Sequence, residues 1–216
     1  MLLDARRTPL APEVLAQTAA VLDRGGVIAY PTETVYGLGC DAGNSGAVQR
    51  MAGLKGRDSG KPMLVLVPSA EAARAIVKGI SGQAEILMAR FWPGSLTLVF
   101  EARKGFPAAL TAGTGRIGVR LSPDGVCRSL LGHYGKPLVS TSANPPGETP
   151  ASSAGQVIQY FDGRIDLVLD GGGRTASPPS TVVDVSGGIP RILRRGPVTE
   201  DSLREAVGEI WIHESA

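Results

Sequence analysis

Residues 12–31 read PEVLAQTAAVLDRGGVIAYP, and the choice of fold class turns on this stretch. Val14, Leu15, Thr18, Ala19, Val21 and Leu22 recur three and four positions apart, the spacing that gathers apolar side chains on one stripe of an α-helix. Gly25-Gly26 ends that pattern, because glycine enters the left-handed conformation that stops a helix without steric cost. Positions 27–30 (VIAY) form a short unbroken apolar run closed by Pro31, which reads as a strand buried on both faces. A helix feeding such a strand is the signature of an α/β chain.

The same alternation extends outward. Ala47, Val48, Met51 and Leu54 predict a helix over 45–55, followed by a strand at 63–67. Ser69 is placed to cap a helix running to about residue 78, and a further helix is expected near 83–91. Strands near 96–101 and 116–121 follow, then a helix near 124–132 and a strand at 138–140. A helix near 152–161, strands near 166–169, 181–185 and 191–193, and a closing helix from Thr199 complete the chain. Some of these strands succeed one another with no crossover helix, so the sheet is expected to be mixed. Neither an internal repeat nor a linker interrupts the pattern, and one domain over 1–216 with its core at about 12–207 is expected.

With 43% hydrophobic and 19% charged residues, the chain has the apolar content of a globular protein that needs no cross-links. Two cysteines without a CxxC spacing and two histidines argue against a disulfide framework, a zinc ribbon or a His-based metal centre. The opening MLLDARRTPL contains no apolar signal core, and the run at 63–67 is far shorter than a bilayer requires. A cytoplasmic chain with no membrane partner is the expectation. The formal net charge is only +2, yet residues 50–140 hold 13 Lys or Arg against 5 Asp or Glu. That segregation points to a local site for anions.

Familiar nucleotide and nucleophile templates fail. Residues 37–42 fit GxGxxA, but they do not sit at a strand-to-helix turn, as a dinucleotide fold requires. GxxxxGK[ST], GxSxG, HExxH and SxxK are all missing. Cys127 and His133 read as a core thiol and a surface imidazole. Polar clusters remain instead: PTETVYGLG at 31–39, read as a loop beyond a buried strand; Lys55 and Arg57 with Lys61; STSAN at 140–144; Ser180-Thr181; Arg194-Arg195; and Arg120 at a strand end. Cations beside short hydroxyls and glycines suit phosphate or carboxylate ligands, and no acid/base pair stands out among them.

PTETVYGLG, KGRxxxKP, PGSLTLVF, GVRLSP, STSAN, PSTVVD and ILRRG occur in this order between about Gly25 and Gly196, and together they resemble the YrdC-like family of L-threonylcarbamoyladenylate synthases. The resemblance implies a twisted, open mixed sheet with flanking helices and a positively charged concave face. It implies a nucleotidyltransferase that converts L-threonine, bicarbonate and ATP into threonylcarbamoyl-AMP and pyrophosphate. The threonylcarbamoyl group then passes to adenosine 37 of ANN-decoding tRNAs through a partner tRNA-threonylcarbamoyl transferase. It implies ATP as substrate, with Mg²⁺ held through the phosphates and no protein-built metal cage. Carried over by motif, Lys55 and Arg57 are the catalytic cations, and the ATP site comprises Lys55, Arg57, Lys61, Ser142, Asn144 and Arg194. The L-threonine site comprises Thr32, Arg120, Ser140 and Ser180. The 144–150 loop is the candidate lid. Asp58, Pro146-Gly147 and Arg195 stand where the family often has proline, Ser-Gly and proline. The alternative for the same basic face is contact with tRNA or double-stranded RNA, as an RNA-binding or ribosome-maturation module, although aromatic residues amount to only 5%.

Overall fold

The computed structural model describes residues 1–56, 62–175 and 177–212. In chain order the elements are β1 (Leu2–Asp4), α1 (Pro12–Asp23), β2 (Ile28–Pro31), β3 (Tyr36–Asp41), α2 (Ser45–Leu54), β4 (Leu64–Leu66), α3 (Ala70–Ile76), α4 (Gly82–Phe91), β5 (Leu96–Glu101) and α5 (Ala108–Thr111). They continue with β6 (Arg116–Arg120), α6 (Gly125–Tyr134), β7 (Leu138–Ser142), α7 (Ala154–Phe161), β8 (Leu167–Asp170), β9 (Thr181–Asp184), β10 (Arg191–Arg194), α8 (Glu200–Val207) and β11 (Trp211–Ile212). Helix starts follow side-chain caps. Asn44, Ser69, Ser81, Asp124, Ser153 and Thr199 each accept a hydrogen bond from the first turn of the helix that follows.

The strands form one mixed sheet in the order β1-β8-β2-β3-β7-β4-β6-β5-β9-β10-β11. The α/β class and the mixed sheet agree with the sequence reading. The stretch 31–39 does not. The chain turns only at 32–35, and Tyr36–Asp41 is a strand pairing antiparallel with both β2 and β7. Gly37 and Gly39 lower the strand propensity of this segment, while Tyr36, Leu38 and Cys40, all fully buried, carry a period of two that identifies it. The short elements β1, α5 and β11 were also missed.

Alternation splits the core in two. On one face Leu38, Val65, Val119, Val139, Leu98 and Val183 pack against helices α2, α3, α4, α5, α7 and α8. On the other, Ile28, Tyr30, Leu66, Leu138, Leu167 and Leu169 pack under α1 and α6 alone. This second core takes no member from β6, β5, β9 or β10. That part of the face carries Val99 and Val182 and, toward one end, the polar side chains Thr97, Arg120 and Ser180, which are nonetheless buried. Among the described residues no helix is long and apolar enough to cross a membrane.

Candidate active site

Arg120 is the last residue of β6, pointing away from the face that buries Val119. Its Nε donates to Gly94 O at 2.8 Å, and its Nη2 donates to a carboxylate oxygen of Glu33. The other Glu33 oxygen accepts from Ser122 Oγ at 2.8 Å. Arg120 is only 7% exposed, so this charge is paired and hydrogen-bonded as a buried charge must be.

Beside it, Ser180 Oγ and Thr97 Oγ1 share a hydrogen bond at 2.8 Å. Arg194 closes over this pair, donating from Nε and Nη2 to Ser180 O at 3.1 and 2.8 Å, with Ser180 Oγ at 3.2 Å. Burial, and then the positive charge of Arg120, lower the affinity of the Arg194 guanidinium for its proton. Among the described residues no carboxylate forms an ion pair with Arg194. Arg120 is thus paired with Glu33, while Arg194 rests on Ser180.

Ser140 lies on β7 next to the apolar core. Tyr30 Oη, from a ring that is 1% exposed, donates to Ser140 Oγ at 2.8 Å. Gly39 makes this possible: a Cβ there would lie 2.6 Å from Tyr30 Cε1. The bare position at Gly37 is flanked by the Thr32 methyl and the Ser140 hydroxyl. Thr32 Oγ1 itself is engaged in its own turn, donating to Val35 O at 2.6 Å and accepting from the backbone N–H groups of Thr34 and Val35. Its hydroxyl shapes the loop that carries Glu33.

Lys55, Ser142 and Asn144 form a third group. Lys55, immediately after α2, places Nζ 2.9 Å from Ser142 O, 2.6 Å from Asn144 O and 3.0 Å from Asn144 Oδ1. Ser142 Oγ donates to the same Oδ1 at 2.6 Å. Asn144 Nδ2 donates to Pro145 O and Glu148 O, tying the 144–150 turn to the cluster. Gly56 has φ of +56°, and a Cβ there would lie 2.8 Å from Pro146 Cγ, so the two turns touch where only glycine fits. Arg57 and Lys61, the remaining cations of the motif, lie outside the described residues, as does Asp58.

The fold therefore joins Arg120, Ser180 and Arg194, places Thr32 and Ser140 around Gly37, and builds a separate knot from Lys55, Ser142 and Asn144. Sequence reasoning assigned no role to Glu33, Ser122, Thr97 or Tyr30. Glu33 and Ser122 stand inside quoted motifs, so a search for a partner to Arg120 had its signal there. Thr97 had none beyond its place in a strand. Neither thiol joins the site chemistry: burial pushes Cys40 up to about 12 and Cys127 well above the usual range. Among the described residues no three His, Cys, Asp or Glu side chains gather as a metal site.

Comparison with known proteins gives the family of the chain. The model of the Sua5/YciO/YrdC family, described as "Telomere recombination", matches residues 20–196. The chain belongs to this family. Among Sua5/YciO/YrdC proteins, it is 43% identical over 175 residues to the threonylcarbamoyl-AMP synthase of Thiobacillus denitrificans, covering 81% of this chain and 92% of that protein. It is 35% identical to the synthase of the same name from Pyrococcus abyssi over 90% of its own length, but spans only 57% of that longer protein. The crystal structure of P. abyssi Sua5 complexed with L-threonine superposes with a TM-score of 0.92 at 33% identity, covering 99% of this chain and 62% of that one.

Proposed function

We infer that this protein is a threonylcarbamoyl-AMP synthase. The observation that carries the reading is the buried Arg120, paired with Glu33 and standing beside the Ser180–Thr97 hydroxyls over which Arg194 closes. Such a site holds a net positive charge in partly desolvated surroundings, where anions are bound far more strongly than in water. It occurs in a chain that matches a relative of that name over 81% of its own length and 92% of that protein.

In this reaction the amine of L-threonine attacks the carbon of CO₂ and loses a proton, or attacks bicarbonate with loss of water, to give a carbamate. A carbamate oxygen then attacks the α-phosphorus of ATP, and pyrophosphate leaves. Carboxylate, carbamate and triphosphate are all anionic, so bringing them together is the main obstacle. Arg120 offers the amino acid carboxylate a planar pair of N–H donors, with Ser180, Ser140 and Thr32 around it. Lys55, Arg57, Lys61, Ser142, Asn144 and Arg194 form the proposed nucleotide site, with Lys55 and Arg57 as the catalytic cations and Mg²⁺ carried on the phosphates. Fixing nucleophile and phosphorus in line supplies much of the acceleration, which is why no acid/base pair is needed. The turn at 144–150, pressed on Gly56 through Pro146, is the candidate cover that keeps water from the labile carbamate. The product would pass in the cytoplasm to the transferase that modifies adenosine 37 of ANN-decoding tRNAs. Tyr30, the ring beneath Ser140, is buried and offers no stacking platform for RNA.

The test is pyrophosphate release from ATP and bicarbonate with and without L-threonine, followed by mass detection of the adenylate. Threonine-dependent release with a threonylcarbamoyl-AMP mass is the expected result. Release that ignores threonine, or its absence in a folded protein, overturns the reading.

A further inference from the structure

The contact between Glu33 and Arg120 joins distant parts of the sheet. Glu33 lies in the turn between β2 and β3, Arg120 at the end of β6, and β3, β7 and β4 stand between β2 and β6 in strand order. The turn is locally rigid, with the Thr32 hydroxyl bonded to three backbone groups of residues 34 and 35. At its far end Glu33 rests on Ser122, just past β6, whose Oγ also accepts from the N–H of Asp124 at 3.2 Å. Arg120 is thus held by the Gly94 carbonyl at Nε and by Glu33 at Nη2, while no hydrogen bond within the described residues engages Nη1. The end-on edge of the guanidinium stays available.

We propose that Glu33, supported by Ser122, is a positioning residue for the carboxylate of the amino acid substrate. It fixes the rotation of the Arg120 guanidinium so that its end-on N–H groups meet that carboxylate in bidentate geometry. Its own charge is paired with Arg120. The inference rests on the synthase reading for the identity of the amino acid, and it makes a prediction whose sign is informative. If Glu33 acted only through its charge, neutralising it would strengthen binding of an anionic substrate. If it acts by orienting Arg120, neutralising it weakens that binding.

The experiment compares wild-type protein with Glu33→Gln, Ser122→Ala and the double variant, by steady-state pyrophosphate release and by calorimetric titration with L-threonine. Glu33→Gln should raise the threonine KM and Kd at least about fivefold, the effect of loosening one charge-assisted contact, with the ATP KM and the kcat at saturating threonine nearly unchanged. Ser122→Ala should shift threonine binding in the same direction by a smaller factor, and the double variant should be no worse than Glu33→Gln alone, because both act through one contact. An unchanged or tighter threonine Kd in folded Glu33→Gln overturns the proposal, as does an equal loss in the threonine and ATP constants. Should Glu33→Gln fail to fold, Ser122→Ala decides alone, and an unaltered Kd there refutes the positioning role. Wild-type protein that binds threonine without releasing pyrophosphate would sink the synthase reading while leaving the Glu33 comparison intact by calorimetry. Wild-type protein that binds no threonine would end both.

Discussion

The two halves of one sheet face have been put to opposite uses. From β8 to β4 the face carries Ile28, Leu66, Leu138, Leu167 and Leu169, sealed under α1 and α6. Across β6 and β5 and into β9 the equivalent positions are Gly118, Val99 and Val182 together with Arg120, Thr97 and, just before β9, Ser180. Both halves are buried, but the first gains from removing apolar surface from water while the second holds polar groups that satisfy one another. The lesson is that β alternation decides which face a residue joins, and the extent of helix cover decides whether that face becomes core or site. One of the two helices that cover the apolar half, α6, begins five residues after Arg120 at Gly125, with Asp124 as its cap, so the site and the cover meet at one corner.

That contrast can be broken first in the apolar half. Leu130, fully buried on α6, contributes only packing, and Leu130→Ala should cost about 2–5 kcal/mol of stability in denaturant unfolding. The threonine and ATP constants of the folded fraction should be unaltered, and a selective change in either would show that the halves are not separable. The seam between the halves comes next. Tyr30 has its ring in the core and its hydroxyl on Ser140, and Gly39→Ala would drive a methyl into that ring. Its displacement should cost about 1–3 kcal/mol and weaken threonine binding at the same time. Stability loss without a binding change would remove Ser140 from the proposed threonine site. The smallest effect on the fold belongs to the polar edge. Lys55→Ala should lower threonine-dependent pyrophosphate release at least tenfold, about 1.4 kcal/mol in the barrier, in a protein that remains folded. Retained activity would make Lys55 only a strut for the Ser142–Asn144 turn.

Much of the secondary structure was legible because its signals are local. The pattern over 12–31, the cap at Ser69, the closing helix near Thr199 and the strand at 96–101 rest on periodicity and on short polar side chains at helix starts. β3 was misread because the glycines that make room for Tyr30 and for the bare position at Gly37 also look like loop residues. The same substitution that opens the site hides the strand. In the site, the motif residues were visible as cations and hydroxyls, but their partners were not. Nothing local links Glu33 to Arg120, 87 residues away, or Thr97 to Ser180, 83 residues away.

The sequence by itself determined the α/β class, the helix starts, the family motifs and the surplus of positive charge in the middle of the chain, because each depends on residues within a few positions of one another. Only the tertiary structure decided which cations stand together, which one is already paired, and which half of the sheet is left without a helix. Those depend on strand order, and a sheet that places β6 next to β4 and β5 next to β9 brings together side chains that no spacing along the chain relates.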